Sequence, residues 1–361
     1  MIPIASPYLD ESELNIVIEV LKSSWISSRG EYIQRFEKEF ASYCGMKYGV
    51  STSNGTTALH LALAALGINK GDEVVVPTLT FISTANAARY CNAEPVLVDS
   101  NPDYWCIEPE KIEEKITKKT KAIIPVHLYG HACDMKHIID IAEDHGLYVI
   151  EDCAEAHGAE YNGKKVGSFG HINCFSFYGN KIITTGEGGM CLTSDENLKE
   201  KMITLKDHGK VKTKEYLHET LGFNYRMTNI QAAIGLIQLK KIDKILKKRD
   251  LIKKTYNNKL KVFDNIILPP SMKWANPVCW LYTIIIKGKN KEKIINELER
   301  NGIDSRPLLY PIHKQPIYNI KGNYPVAEYL AEYGISLPSS PNLKKEELVY
   351  IINVLTNAIS R

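Results

Sequence analysis

Apolar and polar positions follow two different periods along the first half of the chain. Short apolar runs predict buried strands at residues 74–76, 95–98, 122–126 and 147–150. Around these runs, apolar residues recur every three to four positions, which predicts helices at 10–22, 31–44, 83–91, 109–117 and 134–145. Strands that alternate with helices are typical of an α/β domain with a mostly parallel sheet.

The second half of the chain follows a different pattern. Apolar runs at 172–177 and 190–193 predict further strands of the first sheet. A long helical pattern then covers about 229–260, followed by a strand at 280–286 and helices at 291–301 and 344–359. We therefore predict a large α/β domain over 1–245, including the N-terminal helix, and a smaller α+β domain over 246–361.

Composition excludes several classes of protein. The 361 residues carry a net charge of +3 and 24% charged residues, which indicates neither a nucleic-acid partner nor disorder. The lysines of 240–261 alternate with apolar residues at helical spacing, as on the solvated face of a helix. Eight cysteines without a C-x-x-C pair, and no signal peptide or run of about 18 apolar residues, predict a cytoplasmic protein that does not enter a membrane.

One turn between a strand and a helix suits a phosphate group. Ser53, Asn54, Gly55, Thr56 and Thr57 connect a short strand to a helix rich in alanine and leucine. The free N–H groups of a helix N-terminus, with hydroxyls beside them, bind anions. An ordinary helix cap explains the same residues.

Two charged residues occupy positions that suggest chemistry. Asp152 follows an apolar run, and ligands of open α/β sheets collect at the carboxyl ends of strands. Lys181 follows an aromatic run and precedes a turn rich in threonine and glycine. Desolvation there would make its amine a nucleophile for a carbonyl. The alternatives are a helix-capping role for Asp152 and a solvated hairpin lysine.

Taken together, these features fit pyridoxal 5'-phosphate (PLP) as the cofactor; other enzymes that use a reactive lysine are the alternative. PLP requires a lysine for the Schiff base, an acid beside the pyridine nitrogen and an anion site for the phosphate. A metal site is not expected, because the candidate ligands His127, His131, Cys133 and His137 do not share one helix face or a zinc-like spacing.

The segment Ser176–Met190, which contains Lys181, closely resembles the cofactor-lysine motif of DegT-type nucleotide-sugar aminotransferases. The resemblance covers nearly the whole chain and is also carried by 25–30, 53–59, 125–130, 151–152, 222–227 and 310–313. It implies the fold-type-I, aspartate aminotransferase-like architecture, PLP, and a homodimer with active sites at the interface. Residues 151–156 and 179–181 are most similar to the perosamine-forming branch.

The resemblance also implies roles for individual residues. Lys181 would form the Schiff base and carry protons, and Asp152 would pair with the pyridine nitrogen. The other implied cofactor contacts are Gly55, Thr56 and Ser176 at the phosphate, Phe81 on the ring, and Asn224 reaching the phosphate from the partner subunit. Many members carry Gln or His where this chain has Glu155, near the phenolic oxygen, so the role of that acid is left open.

The implied reaction moves an amino group from L-glutamate to C4 of a nucleotide-linked 4-keto-6-deoxy sugar. A GDP-linked, mannose-derived sugar is the first expectation, and a UDP- or dTDP-linked sugar is the alternative.

Two other functions known in this family fit the chain less well. Sugar 3-dehydratases of the family have His in place of the lysine, and a regulator on this fold usually carries an added DNA-binding domain. The candidate sugar or pyrophosphate contacts are Trp25, Ser27, Arg306 and His313, where a surface ion pair for Arg306 and an internally bonded His313 are the alternatives.

Overall fold

The computed structural model describes residues 1–211 and 213–360. Its helices are α1 (Glu11–Ser23), α2 (Glu31–Cys44), α3 (Gly55–Ala65), α4 (Ile82–Tyr90), α5 (Pro109–Glu113), α6 (Met135–His145), α7 (Glu196–Lys206), α8 (Asn229–Lys240), α9 (Ile242–Leu260), α10 (Lys291–Arg300), α11 (Pro325–Tyr333) and α12 (Lys345–Ser360). Its strands are β1 (Tyr48–Thr52), β2 (Glu73–Pro77), β3 (Glu94–Val98), β4 (Thr120–Ile123), β5 (Tyr148–Asp152), β6 (Glu160–Tyr161), β7 (Lys164–Lys165), β8 (Ile172–Ser176), β9 (Gly189–Thr193), β10 (Ile266–Ile267), β11 (Ala275–Asn276), β12 (Tyr282–Ile286), β13 (Arg306–Pro307) and β14 (Gly334–Leu337).

A seven-stranded sheet in the order β1-β9-β8-β5-β4-β2-β3 forms the centre of the molecule. Strand β9 runs antiparallel to both of its neighbours, whereas the remaining pairs are parallel. The strands of this seven-stranded sheet are almost wholly buried, which matches their continuous apolar sequences. The predicted α/β class with a mostly parallel mixed sheet is therefore confirmed.

A second, four-stranded antiparallel sheet in the order β10-β12-β14-β13 lies in the C-terminal part of the chain. Its core includes Ile284, Ile294, Leu298 and Leu355 from β12, α10 and α12. Helix α9 contributes Ile245 to the core of the large sheet and residues from Ile252 onward to the second core. The proposed domain division between residues 245 and 246 falls within this helix and stays a prediction.

The prediction of one helix over 229–260 is wrong. The helical pattern continues through the region, but the chain leaves the helix at Lys241, where φ is −101° and ψ is 0°. The Lys241 amine pairs with Glu13 at 2.6 Å and Asp10 at 3.0 Å, both at the start of α1. Apolar periodicity cannot reveal this break, because Ile242 and Ile245 stay buried on the same side.

Smaller elements account for the other differences. Helices α7 and α11 and strand β14 were not predicted, and α5 ends four residues before the predicted limit of 117. The three-stranded sheet β11-β6-β7 consists of two-residue strands, which are too short to produce a sequence period. Within the described residues, no helix combines the length and apolarity needed to cross a bilayer.

Candidate active site

The carboxyl ends of the parallel strands bring the predicted groups to one edge of the large sheet. Strand β1 leads into α3, β2 leads into α4, β5 ends at Asp152, and β8 ends at Ser176 just before Lys181. Parallel strands place these ends side by side, and this edge is where α/β proteins bind ligands.

The N-terminus of α3 has the features of an anion site. Asn54 caps the helix, because its side chain accepts a hydrogen bond from the N–H of Thr57 at 2.9 Å. Among the described residues, the N–H groups of Gly55 and Thr56 have no acceptor. These donors and the helix dipole together favour a phosphate.

Ser176 lies directly against this helix start. A Cβ placed on Gly55 would come within 2.7 Å of the Cβ and 3.1 Å of the Oγ of Ser176. The Thr56 hydroxyl lies 2.7 Å from that of Ser83 at the start of α4. Gly55, Thr56 and Ser176 therefore surround the same small volume with N–H and O–H donors, as a phosphate group requires.

Asp152 is held with its carboxylate fixed and nearly buried. One oxygen accepts the Thr84 hydroxyl at 2.8 Å, and the other accepts the Ala154 N–H at 3.1 Å. Desolvation raises the pKa of Asp152, whereas these hydrogen bonds and the positive charge of Lys181 lower it. The net shift is upward, and Asp152 offers a fixed, buried carboxyl group at this edge of the sheet.

Lys181 is half-buried, and its amine lies 3.8 Å from the centre of the Trp280 ring. Desolvation lowers its pKa, and the negative charges of Glu155 and Asp152 oppose that shift. A lowered pKa makes the neutral, nucleophilic amine more abundant near neutral pH. Because the amine lies against the Trp280 ring, Lys181 is not a fully solvated hairpin lysine.

Glu155 faces the same region. Its carboxylate accepts the backbone N–H of Tyr129 at 2.7 Å, and only 4% of the residue is exposed. Desolvation raises the pKa of Glu155 to about 7, against the opposing charge of Lys181. The side chain therefore changes charge near neutral pH, which a Gln at this position could not do.

Phe81 lies at the start of α4, three residues before Thr84, and is 57% exposed. A large exposed aromatic next to the Asp152 partner offers an uncovered ring face. This placement is consistent with the stacking role that the family resemblance implies.

The four candidate contacts for the sugar or pyrophosphate differ in exposure and in hydrogen bonding. Trp25 is 59% exposed, while Ser27 holds the start of α8 through its carbonyl, which accepts the Asn229 N–H at 2.7 Å. Arg306 is exposed on β13 and forms no ion pair within the described residues. In His313, Nδ1 lies 2.7 Å from the Thr78 hydroxyl and Nε2 lies 3.2 Å from Glu328.

Asn224 lies next to an exposed loop. Its side-chain oxygen accepts the Arg226 Nε–H at 3.1 Å, and its backbone forms an isolated bridge with Asp207. No hydrogen bond joins it to the α3 N-terminus of the same chain among the described residues. Its implied contact across a subunit interface stays a prediction.

A group of potential metal ligands includes both chain neighbours of Asp152, but two of its members already form several hydrogen bonds. His127 Nε2, Glu151 and the Cys153 thiol have ligand atoms within 4.8 Å of one another. However, Glu151 accepts the N–H groups of Gly167, Phe169 and Gly170 and contacts His127 at 2.9 Å. Nδ1 of His127 accepts the N–H of Cys133. This network joins the segment that follows β4 to the loop between β7 and β8.

Three residues of the site were not found from the sequence. Thr84 bonds Asp152, Trp280 contacts Lys181, and Tyr129 bonds Glu155. A hydroxyl in the first turn of the helix after β2 was a possible signal for Thr84. Trp280 lies about a hundred residues from Lys181 along the chain, and no local pattern connects the two.

The donor set fits PLP as a whole. An anion site at the α3 N-terminus, a buried carboxylate and a desolvated amine supply the three contacts that this cofactor requires. In the fold described above, this combination is the one that PLP-dependent enzymes with a Schiff-base lysine require. The structure adds an uncovered aromatic face at Phe81.

Comparison with known proteins identifies the family. Residues 7–356 match the DegT/DnrJ/EryC1/StrS aminotransferase family. The chain belongs to this family, which confirms the expected enzyme class, a PLP-dependent sugar aminotransferase, and the expected cofactor.

Individual relatives span almost the full length of the chain. It is 46% identical to the GDP-perosamine synthase of Escherichia coli O157:H7, over 97% of this chain and 96% of that protein. It is also 45% identical to the GDP-perosamine synthase of Caulobacter vibrioides, over 99% of this chain and 98% of that protein. The PLP form of Spr1654 from Streptococcus pneumoniae superposes with a TM-score of 0.94 at 29% identity, covering 99% of this chain and 98% of that one.

Proposed function

We propose that the protein transfers the amino group of L-glutamate to C4 of GDP-4-keto-6-deoxy-D-mannose and so forms GDP-perosamine. The observation that carries this proposal is the 46% and 45% identity, over nearly the whole length, to two GDP-perosamine synthases. The site supports the same chemistry, because it combines a desolvated lysine with a buried carboxylate and an anion site.

Bound PLP supplies the carbonyl that accepts the amino group and the ring that takes up electron density. Lys181 would hold the cofactor covalently and, once released, move a proton to and from the reacting carbon. Asp152, oriented by Thr84, would keep a proton on the ring nitrogen. Each role requires a side chain of low mobility, and Asp152 is only 5% exposed.

The other cofactor contacts would fix its position. The free amides of Gly55 and Thr56 and the hydroxyls of Thr56 and Ser176 would bind the phosphate. The exposed ring of Phe81 would cover one face of the cofactor, and Glu155 would meet its phenolic oxygen.

Substrate contacts are proposed on weaker grounds. Arg306 lies exposed and has no ion-pair partner among the residues that the structure describes, so its guanidinium is free to bind a phosphate of the nucleotide sugar. Trp25 and Ser27 lie on an exposed loop before α2 that could contact the sugar or the base. His313 would need to give up its bond to Thr78 or Glu328 to contact a ligand, so its role there is a lesser part of the proposal.

We further propose a homodimer in which Asn224 of one subunit reaches the phosphate in the other. The loop before Asn224 carries Tyr216 and Leu221, each 88% exposed. Helix α1 also exposes an apolar stripe of Leu14, Ile18 and Leu21. Exposed apolar surfaces of this kind mark interfaces. The proposed setting is the cytoplasm, where GDP-perosamine would be a precursor of lipopolysaccharide O-antigen.

The test converts the protein to its aminated-cofactor form with L-glutamate and removes the amino acid. GDP-, UDP- and dTDP-linked 4-keto-6-deoxy sugars are then added separately, and the absorbance of the lysine-bound cofactor is followed. We expect rapid return with the GDP-linked mannose derivative alone. Return with UDP- or dTDP-linked sugars only would overturn the substrate assignment and retain the transamination.

Lys181→Ala is the control variant. It should bind PLP but show no absorbance of a lysine-bound cofactor, with turnover reduced by at least about 1,000-fold. Full activity in this variant would contradict the proposed role of the lysine.

A further inference from the structure

Trp280 contacts the candidate cofactor lysine in two ways. The ring lies under the Lys181 amine, 3.8 Å from its centre, at a distance typical of a cation–π interaction. The indole N–H of the same side chain donates to the carbonyl of Asn180 at 2.9 Å. One residue from the C-terminal half of the chain thus holds both the amine of the lysine and the backbone directly before it.

Contacts with two other segments of the chain hold Trp280 and its neighbours in place. The backbone carbonyl of Trp280 accepts a guanidinium N–H of Arg249 at 2.7 Å, and that arginine is 1% exposed. The Trp280 ring stacks with the Tyr129 ring; the ring centroids are 5.9 Å apart and the angle between the ring planes is 17°. Gly130 approaches the carbonyl of Val278 so closely that a Cβ would clash, and its carbonyl accepts the Val278 N–H at 3.0 Å.

Tyr129 connects this group to Glu155. Its N–H donates to the Glu155 carboxylate, and its hydroxyl accepts the N–H of Leu309. The residue adopts a left-handed conformation with φ 50°, which is unusual for a non-glycine residue. An uncommon backbone conformation held by contacts on both sides is typical of a functional position.

We propose that Trp280 is a positioning residue for Lys181: its ring face holds the ε-amine, and its indole N–H fixes the backbone of the lysine loop. The proposal rests on the proposed role of Lys181 as the cofactor lysine. Lys181 must be free of the cofactor in one half of a transamination cycle, and the ring then gives its amine a defined place.

This arrangement balances two requirements on the amine. Burial favours the neutral form, which attacks a carbonyl, while an aromatic ring face favours the ammonium form. The charged or titratable groups that act on Lys181 are Asp152, Glu155 and His157. A ring can hold an ammonium without adding another negative charge, so the amine stays anchored yet able to lose its proton.

The test follows the formation of the lysine-bound cofactor in full-length protein freed of PLP. PLP is added over a range of pH, and the rate at which its lysine-bound absorbance appears is recorded for wild type, Trp280→Phe and Trp280→Leu. In Trp280→Leu, we expect the maximal rate to fall about tenfold through lost positioning. The pH at half-maximal rate should fall by about one unit, because the ammonium loses the ring.

Trp280→Phe separates the two contacts and also serves if the leucine variant does not fold. It keeps a ring but loses the indole N–H, so its maximal rate should fall while its midpoint moves less than that of Trp280→Leu. Trp274→Phe is the matched control, because Trp274 packs on Tyr104, His131 and Tyr161, away from Lys181. Its rate and midpoint should equal those of wild type.

Two results would overturn the inference. Folded Trp280 variants with the wild-type rate and midpoint would show that the ring does not position the amine. An equal change in Trp274→Phe would show a general effect of aromatic loss. If wild type itself forms no lysine-bound absorbance, the role of Lys181 fails, and this outcome is distinct from the other two.

Discussion

Gly55 and Ser176 lie so close together that a side chain on Gly55 would place its Cβ 2.7 Å from that of Ser176. The first residue of α3 and the last residue of β8 thus enclose one small space. The free amides of Gly55 and Thr56 and the serine hydroxyl line that space. Glycine is needed here because any side chain would displace Ser176.

Gly55→Ala should weaken PLP binding at least about tenfold, because the added methyl group either displaces Ser176 or opens the anion site. The dissociation constant is measured by titrating cofactor-free protein with PLP. Gly179→Ala is the matched control, since a Cβ at Gly179 would meet no atom closer than 3.9 Å. Equal affinities of wild type and Gly55→Ala would contradict the placement of the phosphate.

Asp152→Ala should weaken PLP retention and lower kcat by about 100-fold, because the ring nitrogen would lose its carboxylate partner. Thr84→Val, which removes the hydroxyl that orients Asp152, should cause a smaller loss of the same kind. Both are measured as kcat and as cofactor remaining after dialysis. A normal rate and spectrum in Asp152→Ala would leave this carboxylate a purely structural role.

Glu155 should make stability depend on pH near neutrality. Its folded pKa, about 7, is above the ordinary value of 4.5, so the folded chain keeps a proton that the unfolded chain releases. Its contribution is therefore present at acid pH and is lost as pH rises through 7.

Glu155→Gln removes this titration and keeps an oxygen that can accept the Tyr129 N–H. The unfolding free energy of the variant minus that of wild type should increase by about 2 kcal/mol from pH 5.5 to pH 8. Urea unfolding of cofactor-free protein at the two pH values measures the change. A constant difference between the two proteins would show that Glu155 does not titrate in this range.

His157 should act in the opposite direction. Burial lowers its pKa to about 3, and neither ring nitrogen has a hydrogen-bond partner in the described part of the chain. Its ring packs among Phe40, Phe175 and Phe177. Because the unfolded chain binds a proton below about pH 6.5 and the folded chain does not, stability falls as pH decreases.

His157 should contribute about 2 kcal/mol of loss between pH 7 and pH 5, against a gain of similar size from Glu155. Relative to wild type, the unfolding free energy of His157→Leu, measured by urea unfolding, should therefore rise by about 2 kcal/mol from pH 7 to pH 5. The leucine variant should also be at least as stable as wild type at pH 7, since two unpaired buried nitrogens are removed. His145→Leu, at a partly exposed helix end, is the control and should retain the wild-type slope. The same slope in His157→Leu and wild type would rule out His157 as the titrating group.

The sequence was sufficient where function depends on neighbouring residues. Asp152 could be singled out because it ends the apolar run of β5, Lys181 because it comes five residues after the end of β8, and the α3 start because of its small polar turn. The sheet was predictable for the same reason, since each strand is a compact apolar run. The anion site required only the local rule that helix N-termini carry free N–H groups.

The remaining features depend on contacts between distant segments. The Trp280 ring reaches Lys181 only because the C-terminal half of the chain packs against the lysine loop. At the break in the helix, Lys241 pairs with Glu13 and Asp10 at the start of α1. The bonds of His313 to Thr78 and Glu328 likewise join segments far apart in the sequence. Local periodicity carries no information about such partners.

The antiparallel strand β9 has a consequence for how the protein folds. It separates β1 from β8, so Thr52 pairs with Gly189 and Ser176 pairs with the same glycine. The start of α3 and Ser176 are therefore brought together only when residues from 48 to 193 have assembled. Closing such long loops delays folding. A growing polypeptide therefore contains all three of these strands only when more than half of it has been synthesised.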